Sequence, residues 1–318
     1  MNALKSKTMD STRKHALITG GAGFIGRHLT DRLLKEGIQV RILDDFSSGN
    51  RDGLAPDIEI MEASILDQEA LSSACQDMDM VFHLAAVASV PECDSDPANA
   101  QAINVDGSRR VAESCQDSTL VFASSSAVYG DVDPPCHEDA LASPCSDYAR
   151  GKLAAESFIH QHPASTSLRL FNVIGPGQRA DSLYSAVVPI FIRALMMNAP
   201  LTIHGDGQQT RDFVSVDMTV EAMLRAAHKP AGQAINVGTG DAISIIDLVS
   251  LLGNITQQTP VMNFMDSRPG DIKHSCACVQ QLQKHFNLPG CKTPDAMRRM
   301  ALTAVVASQT TQDSMPST

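Results

Sequence analysis

The stretch "ALITGGAGFIGRHL", residues 16–29, runs from a short apolar segment through a glycine-rich turn into an amphipathic one. Its glycines stand in two overlapping registers. Gly20, Gly23 and Gly26 read as G-x-x-G-x-x-G, and Gly21, Gly23 and Gly26 as G-x-G-x-x-G. The run from His15 predicts a strand. Phe24, Ile25, Leu29, Leu33 and Leu34 recur at helical spacing, and Gly37 stops the helix. Strand, glycine turn and helix start together form a cradle for phosphate. Glycine is needed where the turn is tight, where backbone approaches a pyrophosphate, and where the helix packs close to the strand. The free N–H groups and partial positive charge of the helix start then face the anion. Asp44 closes the next apolar run, 18 residues after Gly26. An acid there accepts hydrogen bonds from an adenosine ribose and repels a 2′-phosphate, which favours NAD over NADP.

Outward from this turn, apolar and amphipathic runs alternate. "VRILDD" and "IEIME" read as strands, "DQEALSSACQ" as a helix and "MVFHLAA" as a strand. A helix through Asn104 to Cys115 follows, then the strand "TLVFASS", the helix "YARGKLAAESFIHQ" and the strand "TSLRLFN". Fully apolar strands separated by helices predict a parallel sheet covered on both faces. Right-handed crossovers make it an α/β doubly wound (Rossmann) sheet. The rhythm changes after Gly175-Pro176. A strand, helix and strand recur over 211–240, and the chain from about Asp241 reads as mostly helix and irregular. The expected organisation is a flexible extension over 1–14 and a nucleotide-binding domain over 15–176, onto which 211–240 packs. A smaller, partly interleaved lobe spans 177–210 and 241–303, and a disordered polar tail spans 304–318.

The 318 residues carry a net charge of -11, which argues against a nucleic-acid partner. An anionic ligand would need a local cluster of arginines. No apolar run approaches the ~20 residues of a membrane span, and "ALIT" is too short for a signal-peptide core. A cytoplasmic protein is expected, with its eight scattered cysteines reduced. No zinc-ligand spacing occurs, so no metal site is expected.

"SDYARGKLAAE", residues 146–156, sets Tyr148 and Lys152 one helical turn apart, just after a strand that ends in serines. A free phenol ionises near pH ~10. A lysine one turn away, with a positive nicotinamide ring, favours the phenolate and makes Tyr148 a general base. A serine at the strand end would hold a substrate hydroxyl in line.

The motifs "TGGAGFIG", "HLAAVASV", "INVDGS", "SSSAVYG", "YARGK", "RLFNVIGPGQ", "PLTIHGDGQQTRDFVSVDM", "INVGTG" and "RPGD" span Thr19 to Asp271. With them the chain resembles the extended short-chain dehydrogenase/reductases of the NAD-dependent epimerase/dehydratase group, and within it the UDP-glucose and UDP-N-acetylglucosamine 4-epimerases. The resemblance implies that Ser125, Tyr148 and Lys152 are catalytic. It implies NAD contacts from Gly20, Gly23, Phe24, Ile25 and Gly26, from Asp44, Asp45, Ser48 and Gly49, and from Ser64 and Ile65. Leu84, Ala85, Ala86, Asn104, Tyr148, Lys152 and Phe171 complete that set. The UDP-sugar would meet Ser89, Ser125, Ser126, Asn172, Val188, Leu201, Thr202, Ile203, Arg211, Arg268, Asp271 and Ser275. Arg211 and Arg268 would supply the local positive charge for a diphosphate. Ser275 would border the sugar C2 substituent, and its small size implies room for an N-acetyl group.

Three positions depart from the pattern. Ser64 replaces an acid that contacts adenine. Asp147 replaces a proline and puts a negative charge beside Tyr148, which would raise its pKa. Cys278 replaces an aspartate and reads as packing. The implied reaction is 4-epimerisation of a UDP-sugar through a transient 4-keto sugar, in a homodimer. A 4,6-dehydratase needs an Asp-Glu pair where Ser126 and Ala127 stand. A uronate epimerase, decarboxylase or reductase of the same group is the alternative, and a non-catalytic NAD-binding regulator is a third class.

Overall fold

The computed structural model describes residues 14–178, 187–267, 271–288 and 297–298. Six strands of the first half run in chain order: β1 (His15–Thr19), β2 (Gln39–Asp44), β3 (Glu59–Glu62), β4 (Met80–His83), β5 (Thr119–Ser125) and β6 (Ser165–Leu170). The second half adds β7 (Asn172–Ile174), β8 (Leu201–His204), β9 (Thr210–Ser215), β10 (Ala234–Val237), β11 (Ala242–Ser244) and β12 (Met262–Met265). The main sheet has seven strands in the order β10-β6-β5-β4-β1-β2-β3, all parallel. This is the doubly wound α/β fold that the alternating runs predict. The chain leaves β1 towards β2 and β3, then returns to build outward from β4. The strand order therefore reverses between β1 and β4, and a crevice opens there at the carboxyl ends.

The strands read as continuous apolar runs because both faces are covered. On β4, Met80 and Phe82 enter one core and Val81 the other. On β5, Val121 and Ala123 enter the first, Leu120 and Phe122 the second. The helices Phe24–Lys35 and Val216–His228 cover one face through Leu29, Leu33, Met223 and Leu224. The other is covered by Gln68–Cys75, Ser108–Ser114 and Asp147–Ile159, through Leu71, Val111 and Ala155.

A separate core joins β8 and β9 to the helices Val187–Met196 and Ile245–Thr256, through Leu201, Ile203, Phe213, Phe191 and Leu248. Here β7 and β11 flank β9, and β12 pairs with β8. Beyond Asp241 two short strands, β11 and β12, stand among the helices and irregular chain that the sequence predicts there. β11 is only three residues long, and all four residues of β12 are exposed, so neither shows an apolar alternation. Residues 1–13 of the expected 1–14 extension and the 304–318 tail lie outside the described residues. Among those described, no helix is long and apolar enough to cross a membrane.

Candidate active site

The crevice between β1 and β4 opens into one cleft of about 1220 Å³ that runs from the glycine turn to Arg211 and Asp271. At its nucleotide end the fit to a dinucleotide is steric. Gly20 has φ +71°, and a Cβ there would lie 2.6 Å from the Ala85 nitrogen. A Cβ on Gly26 would lie 2.6 Å from the Gly20 carbonyl oxygen. Only glycine lets the helix and the β4 loop come this close. The helix that starts after Gly23 has no side-chain cap and no acid in its first turn, so its N–H groups are left for an anion. Asp44 is buried at the end of β2. Its carboxylate accepts from the backbone N–H of Ala22 at 2.9 Å and of Phe46 at 2.8 Å while still lining the cleft. Asp45, Ser48, Ser64, Ile65 and Leu84 to Ala86 share the same wall, as do Phe24 and Ile25.

The reacting end is built where β5 meets the helix Asp147–Ile159. Ser146 caps that helix by accepting from the Ala149 N–H, which fixes its first turn. Tyr148 and Lys152 then face the cleft together with Ser125. Ser125 hydrogen-bonds the Tyr148 hydroxyl. Lys152 Nζ donates to the Ala123 carbonyl at 2.8 Å and lies 5.9 Å from the Tyr148 ring centroid. Burial pushes the Tyr148 phenol up, against the pull of the Ser125 hydrogen bond. Burial also pushes the Lys152 ammonium down to about 8. Within the chain itself, desolvation is the largest influence on both groups.

At the far end, Arg211 on β9 donates to Asp271 at 2.6 Å, and both line the cleft with Thr202 and Ile203 of β8. Ser89, Phe171 and Asn172 line the stretch between.

The NAD dependent epimerase/dehydratase family model matches residues 16–238. The chain belongs to this family. It is 35% identical over 263 residues to the UDP-N-acetyl-alpha-D-glucosaminuronate decarboxylase of Bacillus cytotoxicus, covering 78% of this chain and 82% of that one. It is 35% identical over 278 residues to the UDP-glucose 4-epimerase of Mycolicibacterium smegmatis, covering 81% and 88%. Among solved structures, the UDP-N-acetylglucosamine 4-epimerase from Methanobrevibacter ruminantium in complex with UDP-N-acetylmuramic acid superposes with a TM-score of 0.88 at 33% identity, covering 93% and 99%. The chain is an NAD-dependent epimerase/dehydratase enzyme, and NAD is its cofactor.

Several residues assigned to this family's contacts stand elsewhere. Asn104 is buried, and its amide is engaged mainly by the backbone of one residue, Val87. Oδ1 accepts from Val87 N–H at 2.9 Å and Nδ2 donates to the Val87 carbonyl at 3.0 Å. It sits in a π-helical segment, Ala102–Gly107, and braces the β4 loop from behind instead of reaching the cleft wall. Gly49 lies behind the wall too, where a Cβ would meet the Ala22 Cβ at 2.7 Å. Ser126 enters a 3₁₀ turn, Val188 and Leu201 belong to the second core, and none of the three reaches the wall. Ser275 is buried, its N–H bound to the Thr210 carbonyl at 3.2 Å, and it too is absent from the wall. Arg268 lies outside the described residues. Of the departures, Asp147 is paired with Arg150 at 2.5 Å. Cys278 is packed, with its N–H on the Cys136 carbonyl at 2.9 Å. Ser64 keeps a place on the wall.

Sequence reasoning missed the support beneath the catalytic helix. Glu156 lies one turn beyond Lys152, fully paired in the interior. It accepts from Arg169 at 2.8 and 3.0 Å and from Ser124 Oγ at 2.6 Å. The Tyr148, Lys152, Glu156 spacing, each four residues on, was the available signal.

Proposed function

We propose that the protein is a UDP-sugar 4-epimerase. The observation that carries this is the single cleft joining the glycine turn, the Ser125–Tyr148–Lys152 cluster and the Arg211–Asp271 pair. The nucleotide lies along Gly20 to Gly26, Asp44 and Leu84 to Ala86. Arg211 anchors the sugar diphosphate. Bound there, NAD supplies a hydride acceptor that becomes a hydride donor, and its oxidised ring adds the positive charge that favours a phenolate. Tyr148 Oη takes the proton from the sugar 4-hydroxyl and returns it after the 4-keto sugar has turned over about its diphosphate anchor. Ser125 Oγ holds that hydroxyl in line. Lys152, fixed on the Ala123 carbonyl, keeps its charge beside the site. Ser126 and Ala127 offer no carboxylate for loss of water from C5–C6, which disfavours a 4,6-dehydratase. The resemblance further supports a homodimer formed across the helical stretch through Asn104, Ala102–Gly107 continuing into Ser108–Ser114, and the helix Asp147–Ile159.

The test is to incubate the purified protein, without added cofactor, with UDP-glucose, UDP-galactose, their N-acetylamino counterparts and the corresponding UDP-uronates. Interconversion of a 4-epimeric pair is expected. Loss of a carboxyl carbon from a uronate, with no epimer formed, would replace this reading with a decarboxylase.

A further inference from the structure

The loop between β2 and β3 contains no helix or strand, yet it carries Asp45, Ser47 and Ser48 on the cleft wall. Something must hold it over the nucleotide. An exposed ion pair, Arg51 with Glu62, and Arg51 over the Phe46 ring act on its outer side, where such pairs contribute little. The stronger tie comes from Arg27, on the helix that follows the glycine turn. Its Nε donates to the Ala22 carbonyl at 2.9 Å, inside the glycine turn. Its two terminal nitrogens reach across to the other loop: Nη2 to the Asn50 carbonyl at 2.7 Å and to the Asn50 side-chain oxygen, Nη1 to the Asp52 carbonyl at 2.5 Å. One guanidinium thus joins two loops that flank the same end of the cleft, using the planar fork that only arginine has. Two further contacts close on the same point. The Ala22 N–H is held by Asp44, and Gly49 packs so close to Ala22 that a Cβ would overlap it.

We propose that Arg27 is a positioning residue for the adenosine half of NAD, clasping the glycine turn to the Asn50–Asp52 turn so that the nucleotide is enclosed and leaves slowly. The proposal rests on the cleft being the NAD site and not on which sugar is turned over. The guanidinium spends its bonds on carbonyls of the chain, so its effect is on retention and not on the reaction.

The test compares wild type with Arg27→Met and Arg27→Lys. Bound NAD is chased with excess unlabelled nucleotide and its release followed by mass spectrometry. Melting temperature is measured with and without saturating NAD. Arg27→Met should release NAD about tenfold faster or more, as expected for losing one or two net hydrogen bonds. Arg27→Lys should lie between, because an ammonium cannot span three carbonyls. The rise in melting temperature with NAD should shrink in Arg27→Met, whereas a purely structural role would lower both temperatures equally. Wild-type release with an unchanged rise would overturn the proposal. Should Arg27→Met not fold, Gly49→Ala wedges the same loops apart from the other side, and unchanged release there would overturn it equally. A wild-type protein with no NAD-dependent rise would overturn the nucleotide site and the clasp together, whatever the sugar assay shows.

Discussion

The two ends of the cleft are built by different means. The nucleotide end presents backbone: peptide N–H groups after Gly23 and strand ends at Thr19 and His83, all placed by the main sheet. The end at Arg211 presents side chains placed by other side chains. Arg211 and Asp271 are 60 residues apart in sequence. The segment that carries Asp271 is stitched along β9 by Thr210 N–H to the Lys273 carbonyl at 3.0 Å and by Ser275 N–H to the Thr210 carbonyl at 3.2 Å. Asp212, fully buried, then gathers Thr239, Gly240 and Ala277 onto one carboxylate at 2.6–3.0 Å. A backbone cradle spreads its contacts over many atoms. A site made of one ion pair and one carboxylate hub concentrates its function in a few residues.

That contrast orders the expected effects. Tyr148→Phe removes the proposed general base at the junction of the two ends. Turnover should fall by about 10²–10⁴-fold while NAD content and fold are kept. Near wild-type turnover would sink the assignment of the base. Arg211→Met acts at the far end alone. KM for the UDP-sugar should rise by about 10–100-fold, the loss of charge-assisted bonds to a diphosphate, with kcat changed only a few-fold. Unchanged KM in that variant would move the diphosphate away from β9, and lost NAD would erase the distinction between the ends.

The same contrast explains what the sequence made legible. The glycine turn, Asp44 and the alternation of β1 to β6 depend on local spacing, so "ALITGGAGFIGRHL" and the apolar runs predict them. Ser125, Tyr148 and Lys152 were readable because a strand end and a helix start bring them together over a short stretch. Arg27 was not, since its partners at Asn50 and Asp52 are carbonyls, which any residue carries. Asp212 was hidden for a similar reason: its partners are mostly backbone N–H groups far along the chain. Asn104, Gly49 and Ser275 are placed by packing that motif spacing does not encode. Each lies close behind the cleft, and only packing decides that it braces the wall instead of forming it.

The smallest effect expected lies under the nucleotide end, at His83. The imidazole is fully buried on β4 and stacks on Phe122 with ring centroids 5.3 Å apart. Ser108 Oγ donates to the Asn104 carbonyl at 2.8 Å, so towards His83 it must accept, at 2.8 Å from Nε2. Nε2 therefore carries the proton and Nδ1 accepts from Thr19 Oγ1 at 2.7 Å. Both nitrogens are satisfied only in the neutral ring. Burial, reinforced by the nearby Lys152 charge, pushes the pKa down to about 3 from an ordinary 6.5. The folded protein thus binds fewer protons than the unfolded chain between those values. Stability is complete above pH ~6.5 and falls as pH drops towards ~3, by at most one proton's slope, about 1.4 kcal/mol per pH unit. His83→Gln keeps a donor and an acceptor but cannot titrate. It should be less stable at pH 7.5, with a few-fold change at most in turnover, yet its denaturant midpoint should fall less than that of wild type between pH 6.5 and 5. Parallel curves for the two proteins over that range would show that His83 is not the titrating group, and that the backbone-built end draws its acid sensitivity from elsewhere.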